Sequence, residues 1–554
     1  MRQKNTIPRP GAAQPLRRLP MLGSVALACL LALAATPAAA QAPAAPSPAT
    51  EEARFEVRGF AISGTSLIDS NALVALLARF KGQRTMAELR QAAAAVQDAY
   101  SDAGFGAVVA YLPPQAVADG TVNIAVVEGK VGKVTLKGGR RLTPERVRAA
   151  LPSLVEGQTP RVRRIDSELQ IANENPGRQV GVLLGPGAAP GEVEATVSVE
   201  EQSQHRFTAA LDNTGNDRTG DWRLSLGYQN SDFLGMDDVL SLQGQVSPTE
   251  FDAVRVVSVG WRLPIVRWLS ALDLFAATSN VDGGTTATLA GDLSFSGRGR
   301  IFGARFTRYL PRLGEFDQRL ALALDHRRYL NACAIEGLGP EACGPAGASV
   351  TVNPLTLEYL AQRGGSLPIA LNVAVATNLD LGGTNTSDAA FDAARPGAAR
   401  QYTALRAGGS VTWPVMEEWS LGARVAVQHS GDALVPGEQF GLGGAGSVRG
   451  YREREVAGDR GLVAGLELTS PRLAVGEGLD FRVSAFAEGG EVTNSDGSDC
   501  ASDRSRCRLA GAGIGARLAA GAFVGRLSVA QALEHGTETR RGDWRAHVSL
   551  SASF

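Results

Sequence analysis

Between Arg206 and Phe554, apolar and polar residues alternate in runs of roughly 10–14, the period of strands with two unlike faces. In the last run, Trp544, Ala546, Val548, Leu550, Ala552 and Phe554 share one face. Arg545, His547, Ser549, Ser551 and Ser553 share the other. Trp222, Leu224, Leu226 and Tyr228 likewise oppose Arg223, Ser225 and Gln229, and Leu320, Leu322 and Leu324 oppose Arg319 and Asp325. A soluble sandwich also alternates, so period two alone does not choose an architecture. Connector lengths do. Short turns at Met236-Asp237-Asp238, Arg312–Glu315, Met416-Glu417-Glu418 and Ala474–Gly478 alternate with long loops at Cys333–Ser349, Thr384–Ala399, Gly431–Asp459 and Ser495–Cys507. Sixteen antiparallel strands with short turns at one rim and long loops at the other predict a transmembrane β-barrel. An even count leaves both barrel ends on the short-turn side, where a preceding domain would attach.

Upstream, from Phe55 to Glu201, the pattern is α+β and it repeats. Phe55, Val57, Phe60 and Ile62 predict a strand with a phase slip near Gly59, followed by a helix around Leu73–Phe80. A second helix runs from Thr85 to Tyr100, with Glu88 placed to complete a capping box. Strands Ala107–Leu112 and Val122–Glu128 close the unit. The order recurs as strand Val131–Leu136, a helix capped by Thr143 with Pro144 at its first position, a helix near Arg163–Asn173, and strands Gln179–Leu184 and Val193–Glu200. The expected boundaries are residues 55–129 and 130–203 for the two units and 204–554 for the barrel.

Arg17 and Arg18 precede an apolar run from Met21 to Ala35 and a small-residue Ala38-Ala39-Ala40 site, which predicts a secretory signal peptide over residues 1–40. A membrane anchor is the alternative for that run, and Cys29 after Ala28 hints at lipidation. Residues 41–54, with three prolines, read as a Pro/Ala-rich linker. The four later cysteines form two close pairs, Cys333 with Cys343 and Cys500 with Cys507, in Gly- and Ser-rich stretches. In an oxidising compartment these suit disulfides, and with no histidine near either pair a metal site is disfavoured. Mean hydropathy of −0.04 is too polar for a helical membrane protein and ordinary for a barrel. A net charge of −1 excludes the Lys/Arg surplus that nucleic-acid binding needs.

Three stretches resemble one family. Gly104-Phe105, then Ala110-Tyr111-Leu112-Pro113-Pro114-Gln115 and Gly120–Gly129, look like the first POTRA domain of two-partner secretion transporters, exporters of haemolysins and filamentous haemagglutinins. Leu211-Asp212-Asn213-Thr214-Gly215 and Asn230–Gly235 resemble the start of that family's barrel, and Val448-Arg449-Gly450-Tyr451 resembles its long-loop motif. The resemblance covers nearly all of the chain after residue 54. It implies two POTRA domains in the periplasm, a barrel in outer-membrane lipid, and export of an unfolded secreted partner protein to the cell surface. It also implies that Arg449 enters the lumen to meet a motif on a later strand, here Phe486-Ala487-Glu488-Gly489-Gly490. Phe486, Glu488 and Gly490 share the inward parity, and Glu488 replaces the family's usual aspartate. Phe554, as in related barrels, would be read by the barrel-assembly machinery. Relatives carry a plugging helix ahead of the first POTRA domain. Residues 41–54 offer none, so the long loop alone is expected to obstruct the pore.

Other signals are set aside. Gly441–Gly446 matches G-x-G-x-x-G, but a charged loop follows in place of the βαβ frame that a dinucleotide site needs. The five histidines are scattered singly and no catalytic, cofactor or metal constellation emerges. Two rival readings share parts of this pattern. A barrel-insertion factor has the long-loop motif but usually more POTRA units, and a passive porin has the barrel without them.

Overall fold

The computed structural model describes residues 53–554 apart from 118, 142, 218, 281–283, 289–290, 296–297 and 331–347. The signal-peptide and lipidation expectations and the linker up to residue 52 lie outside the described residues.

The first α+β unit forms where local signals are strongest. Thr85 caps the helix Met86–Asp102 by accepting from the Glu88 amide, and Glu88 returns a bond to the Thr85 amide at 2.8 Å. This reciprocal pairing satisfies two otherwise unpartnered helix N–H groups. Leu89, Ala92, Ala93, Val96 and Tyr100 on one helix face pack on Phe60, Val122, Ile124 and Val126 of the sheet. Leu77 is fully buried, and Leu77→Ala there would cost about 2–5 kcal/mol. The predicted first strand is in fact two. Arg54–Val57 pairs with Gly82–Thr85, and Gly59–Ser63 joins the main sheet parallel to Thr121–Glu128. The phase slip at Gly59 marks that change of sheet.

The second unit repeats the plan. Strands Lys130–Gly138, Glu192–Glu201 and Arg178–Pro186 form its sheet, covered by helices Pro144–Ala150 and Val162–Asn173. Thr143 caps the first helix, with Pro144 inside the opening turn where no N–H is needed.

Among the described residues, sixteen antiparallel strands close the barrel. They begin with His205–Asp212 and end with Trp544–Ser553, which pair with each other at the seam. Val350–Val352 and Pro354–Arg363 lie end to end along Phe316–Tyr329 and count as one strand. Leu320, Leu322 and Leu324 are exposed on the outer face while Ala321, Ala323 and Asp325 are buried inside, so the alternation read from sequence is a lipid face and a lumenal face. Exposed aromatics gather at both rims: Trp222 and Trp544 at the long-loop end, Trp268, Trp413, Phe523 and Phe554 at the short-turn end. This is the girdle expected at a membrane interface.

Two features depart from expectation. The loop containing Thr384–Ala399 holds a helix, Asp388–Ala394, capped by Ser387. Cys507 is not in a loop. It is the second residue of strand Arg506–Ala520, buried, with its sulfur bonded to that of Cys500. Of the two expected disulfides, Cys500–Cys507 is therefore the one found among the described residues. The expected pairing of Cys333 with Cys343 lies outside the described residues, within 331–347.

Candidate functional site

The site is the long loop between strands Trp419–Ser430 and Arg460–Thr469, folded back inside the barrel. Gly443 and Gly444 have φ of +106° and +101°, backbone that residues with a Cβ rarely adopt, so these glycines allow the reversal. A Cβ on Gly443 would also stand 2.5 Å from the Arg452 carbonyl oxygen. Val448 and Tyr451 beyond the turn are fully buried.

At the loop tip, the structure brings Arg449 and Glu488 together. The Arg449 Nη2 and Nε donate to Glu488 Oε1 at 2.6 and 3.0 Å, and the Arg449 amide donates to Oε2 at 2.8 Å. Its guanidinium also lies 3.2 Å from the centroid of Phe486, a cation–π contact. Glu488 projects inward because strand Leu479–Thr493 alternates, with Val483 exposed on the lipid side and Phe486 and Glu488 buried. Gly490, the last motif residue, leaves room for Leu442 of the loop, whose Cδ2 would stand 2.9 Å from a Cβ there. Gly450 donates to His547 Nε2 at 3.2 Å, and the Tyr451 hydroxyl lies 2.9 Å from the carbonyl oxygens of Ala510 and Glu534.

Cys500 and Cys507 make no hydrogen bond to Arg449 or Glu488. Cys507 packs in the same buried cluster as Leu442, Val448 and Tyr451, behind the loop, and its bond to Cys500 closes a neighbouring outer turn.

Sequence reasoning missed several participants. Arg424 donates to Glu488 Oε1 at 2.7 Å, and Glu467 accepts from Arg449 at 2.9 Å. Strand register explains how Arg424 reaches. Arg424 is paired with Gly465, and Gly465 with Glu488, so the missing side chain at Gly465 opens a path across the intervening strand. On the other side Glu488 is paired with Gly511, where a Cβ would stand 2.1 Å from the Arg449 carbonyl oxygen. The carboxylate therefore sits between two glycines, one admitting Arg424 and the other the loop tip. Inward parity was legible for Arg424 and Glu467, but register was not.

The loop is held again nearer the outer rim. Glu438 is buried and pairs with Arg327 at 2.9 Å, Arg406 at 3.1 Å and the Tyr329 hydroxyl at 2.9 Å. Asp459, at the loop's far end, takes both Arg395 guanidinium nitrogens at 2.6 and 3.1 Å, together with the amides of Leu434 and Ser495. Arg395 follows the loop helix, whose Phe391 and Ala394 pack on Leu434, Val435 and Tyr402. Three outer loops are thereby joined into one small core.

At the opposite mouth the second α+β unit docks on the barrel. Glu174 pairs with Arg262 at 2.9 Å and Arg319 at 2.5 Å and accepts from the Tyr309 hydroxyl. Ile171 packs on Ala271 and Tyr309. Arg146 holds Asp232 through two bonds of 2.6 and 2.8 Å, and Arg178 pairs with Asp237 at 2.7 Å. The Arg146 guanidinium keeps the Asp232 carboxyl below the usual carboxylate range.

Comparison with known proteins follows the same outline. Residues 191–518 match the family described as haemolysin secretion/activation protein ShlB/FhaC/HecB, and residues 55–129 match the ShlB-type POTRA domain. The outer membrane transporter CdiB of Dickeya dadantii (strain 3937) is 23% identical over 432 residues, covering 76% of this chain and 73% of that protein. The heme/hemopexin transporter protein HuxB of Haemophilus influenzae (strain 86-028NP) is 25% identical over 208 residues, a match spanning 36% of this chain and 37% of HuxB. Two solved structures share the fold. CdiB from Escherichia coli has a TM-score of 0.75 at 20% identity with 93% of each chain covered. CdiB from Acinetobacter baumannii has 0.70 at 17% with 91% of each covered. With more than half of its length matched, the chain belongs to the haemolysin secretion/activation protein family ShlB/FhaC/HecB, whose members are outer-membrane β-barrel transporters with POTRA domains facing the periplasm.

Proposed function

We propose that the chain exports one secreted partner protein of haemolysin or haemagglutinin type, which its POTRA domains bind unfolded in the periplasm and pass through the lumen. The observation that carries this reading is a barrel whose lumen holds a loop tethered only by non-covalent contacts. The long loop is tethered to the wall by hydrogen bonds and ion pairs at Glu488, and no covalent bond inside the loop fixes it there. Moving the loop exchanges Arg449 and Glu488 contacts for contacts with water or cargo, and leaves every barrel strand paired.

The POTRA sheets supply the periplasmic step. Val108–Tyr111 and Arg178–Pro186 are outer strands of their sheets, and an extended segment can add to such an edge by main-chain hydrogen bonds. Gln97 covers part of the first edge, its side-chain oxygen accepting from the Ala110 amide at 3.3 Å, so an arriving strand displaces one side-chain bond. Threading an extended chain needs no nucleotide, and folding outside the cell biases movement outward.

The test is co-expression with the product of the neighbouring reading frame, followed by assay of that product at the cell surface. Deleting residues 131–201 should abolish its secretion while the barrel stays inserted and heat-modifiable. Normal secretion from the deletion would remove the second POTRA domain from this reading.

A further inference from the structure

Around most of the periplasmic mouth, each inward arginine meets a carboxylate. Arg262 pairs with Glu174 and Asp273, Arg305 with Glu358, and Arg312 with Asp317. Three adjacent strands differ in bringing arginines face to face. On Leu479–Thr493, Arg506–Ala520 and Phe523–Ala532, Arg482 lies directly opposite Arg517, and Arg517 directly opposite Arg526. All three side chains line the lumen, while their neighbours Val483, Leu518 and Leu527 face lipid. Like charges placed directly opposite on neighbouring strands are destabilising. Among the described residues Asp480 is the one carboxylate paired with them, 2.9 Å from Arg482 and 3.3 Å from Arg517. The Arg526 side chain makes no hydrogen bond or ion pair among the described residues, although its backbone is held in the ladder.

The three arginines border a cavity of about 280 Å³ beneath the loop tip, together with Ser484, Ser528 and Ser549. The carboxylates in its lining are engaged. Asp212 accepts from the Thr214 amide at 3.0 Å, and Glu467 pairs with Arg449. Arg482 lies six residues nearer the periplasmic end of its strand than Glu488, about 20 Å along it. The cavity is therefore met on the way in, before the latch.

We propose that this arginine rung binds carboxylate side chains of the exported polypeptide as it enters the lumen in extended form, an inference that rests on the exporter reading. Neighbouring strands lie about 4.8 Å apart, so the rung is about 10 Å wide. Alternate side chains of an extended segment are about 7 Å apart, so two carboxylates on one face fit across it. Guanidinium groups meet carboxylates through paired donors, and the serine hydroxyls can bond the passing backbone. The site is open to water, which keeps each ion pair weak. Weak, repeated contacts let cargo move on, as conduction through any selective pore requires. An anionic lipid headgroup shares the negative charge but approaches from the face that carries Val483, Leu518 and Leu527.

The test uses the full chain in phosphatidylcholine nanodiscs and a fluorescein-labelled peptide of twenty glutamates, read by fluorescence anisotropy at low salt. The combined substitution R482Q/R517Q/R526Q should raise Kd at least tenfold, and a neutral Gly-Ser peptide of the same length should show no difference between the two proteins. Equal affinity for the glutamate peptide would overturn the proposal. So would a difference that appears only when phosphatidylglycerol is added, because that marks a lipid site. Should the combined variant fail to insert, Arg526→Gln alone, which breaks no existing bond, should raise Kd about threefold, and no change there would also overturn it. Export of the partner in cells separates the two readings. A wild-type chain that exports but shows no arginine-dependent binding retains the exporter reading and loses the rung, whereas a wild-type chain that exports nothing loses the exporter reading.

Discussion

Glu488 owes its role to the residues beside it as much as to its own charge. Gly465 and Gly511 flank it on the neighbouring strands, so two arginines converge on one buried carboxylate. Glu488→Ala should therefore be more damaging than Arg449→Ala, because both Arg449 and Arg424 lose their shared carboxylate, whereas Arg449→Ala leaves Arg424 paired with Glu488. Both losses should fall short of the ~3–5 kcal/mol of a fully orphaned buried charge, since Glu467 still faces Arg449 in the first case and Arg424 still faces Glu488 in the second. Single-channel recording and partner export measure the order, and equal effects would mean that Arg424 contributes nothing. Because three groups share the site, the double mutant should exceed Arg449→Ala and match Glu488→Ala. Gly511→Ala is the uncharged counterpart. Its methyl would collide with the Arg449 carbonyl oxygen, so it should dislodge the loop and raise conductance while every ion-pairing residue is intact. The pairing of Arg449 with Glu488 was legible through the motif and the inward parity of Phe486, Glu488 and Gly490. Arg424, Glu467 and the two glycine windows were not, because which residue faces which across strands depends on register, and register is not written in the alternation.

At the scale of elements, the junction between the second POTRA domain and the barrel rests on charges from the helix Val162–Asn173 and its flanks. Glu174→Ala removes the partner of Arg262 and Arg319 and should lower export with a normally assembled barrel, checked by heat-modifiable migration. The pair Arg146–Asp232 adds a pH dependence. Its carboxyl is held below the ordinary value near 4, so docking is fully supported above that pH and weakens as pH falls through the depressed value. A spin-label distance between this domain and the turn Glu417-Glu418 should be constant from pH 5 to 8 and broaden only in stronger acid. At the seam, the Phe554 amide and carbonyl both bond Phe207, at 2.9 and 3.0 Å, and its ring meets Phe523 edge-on. Deleting Phe554, which we propose the assembly machinery reads, should lower barrel abundance and leave the conductance of assembled channels unchanged. Helix caps at Thr85 and Thr143 were readable because their chemistry is local. The helix Asp388–Ala394 and the burial of Cys507 were not, because both depend on loops that meet only in the folded barrel.

For the whole molecule, the long loop is fixed at three levels: Glu488 at its tip, Glu438 near its base and Asp459 where the outer loops join. Opening a path for a polypeptide requires the tip to leave the wall, and the outer two levels can hold the loop's ends while it does so. The period-two pattern that first suggested a barrel also supplies the most direct test of transport through it. A photo-crosslinking residue at Ser484 would face the lumen, and one at the adjacent Val483 would face lipid. In cells arrested during export, the account predicts that the partner protein is captured from Ser484 and not from Val483. Capture from Val483 alone, or equally from both, would contradict passage through the lumen.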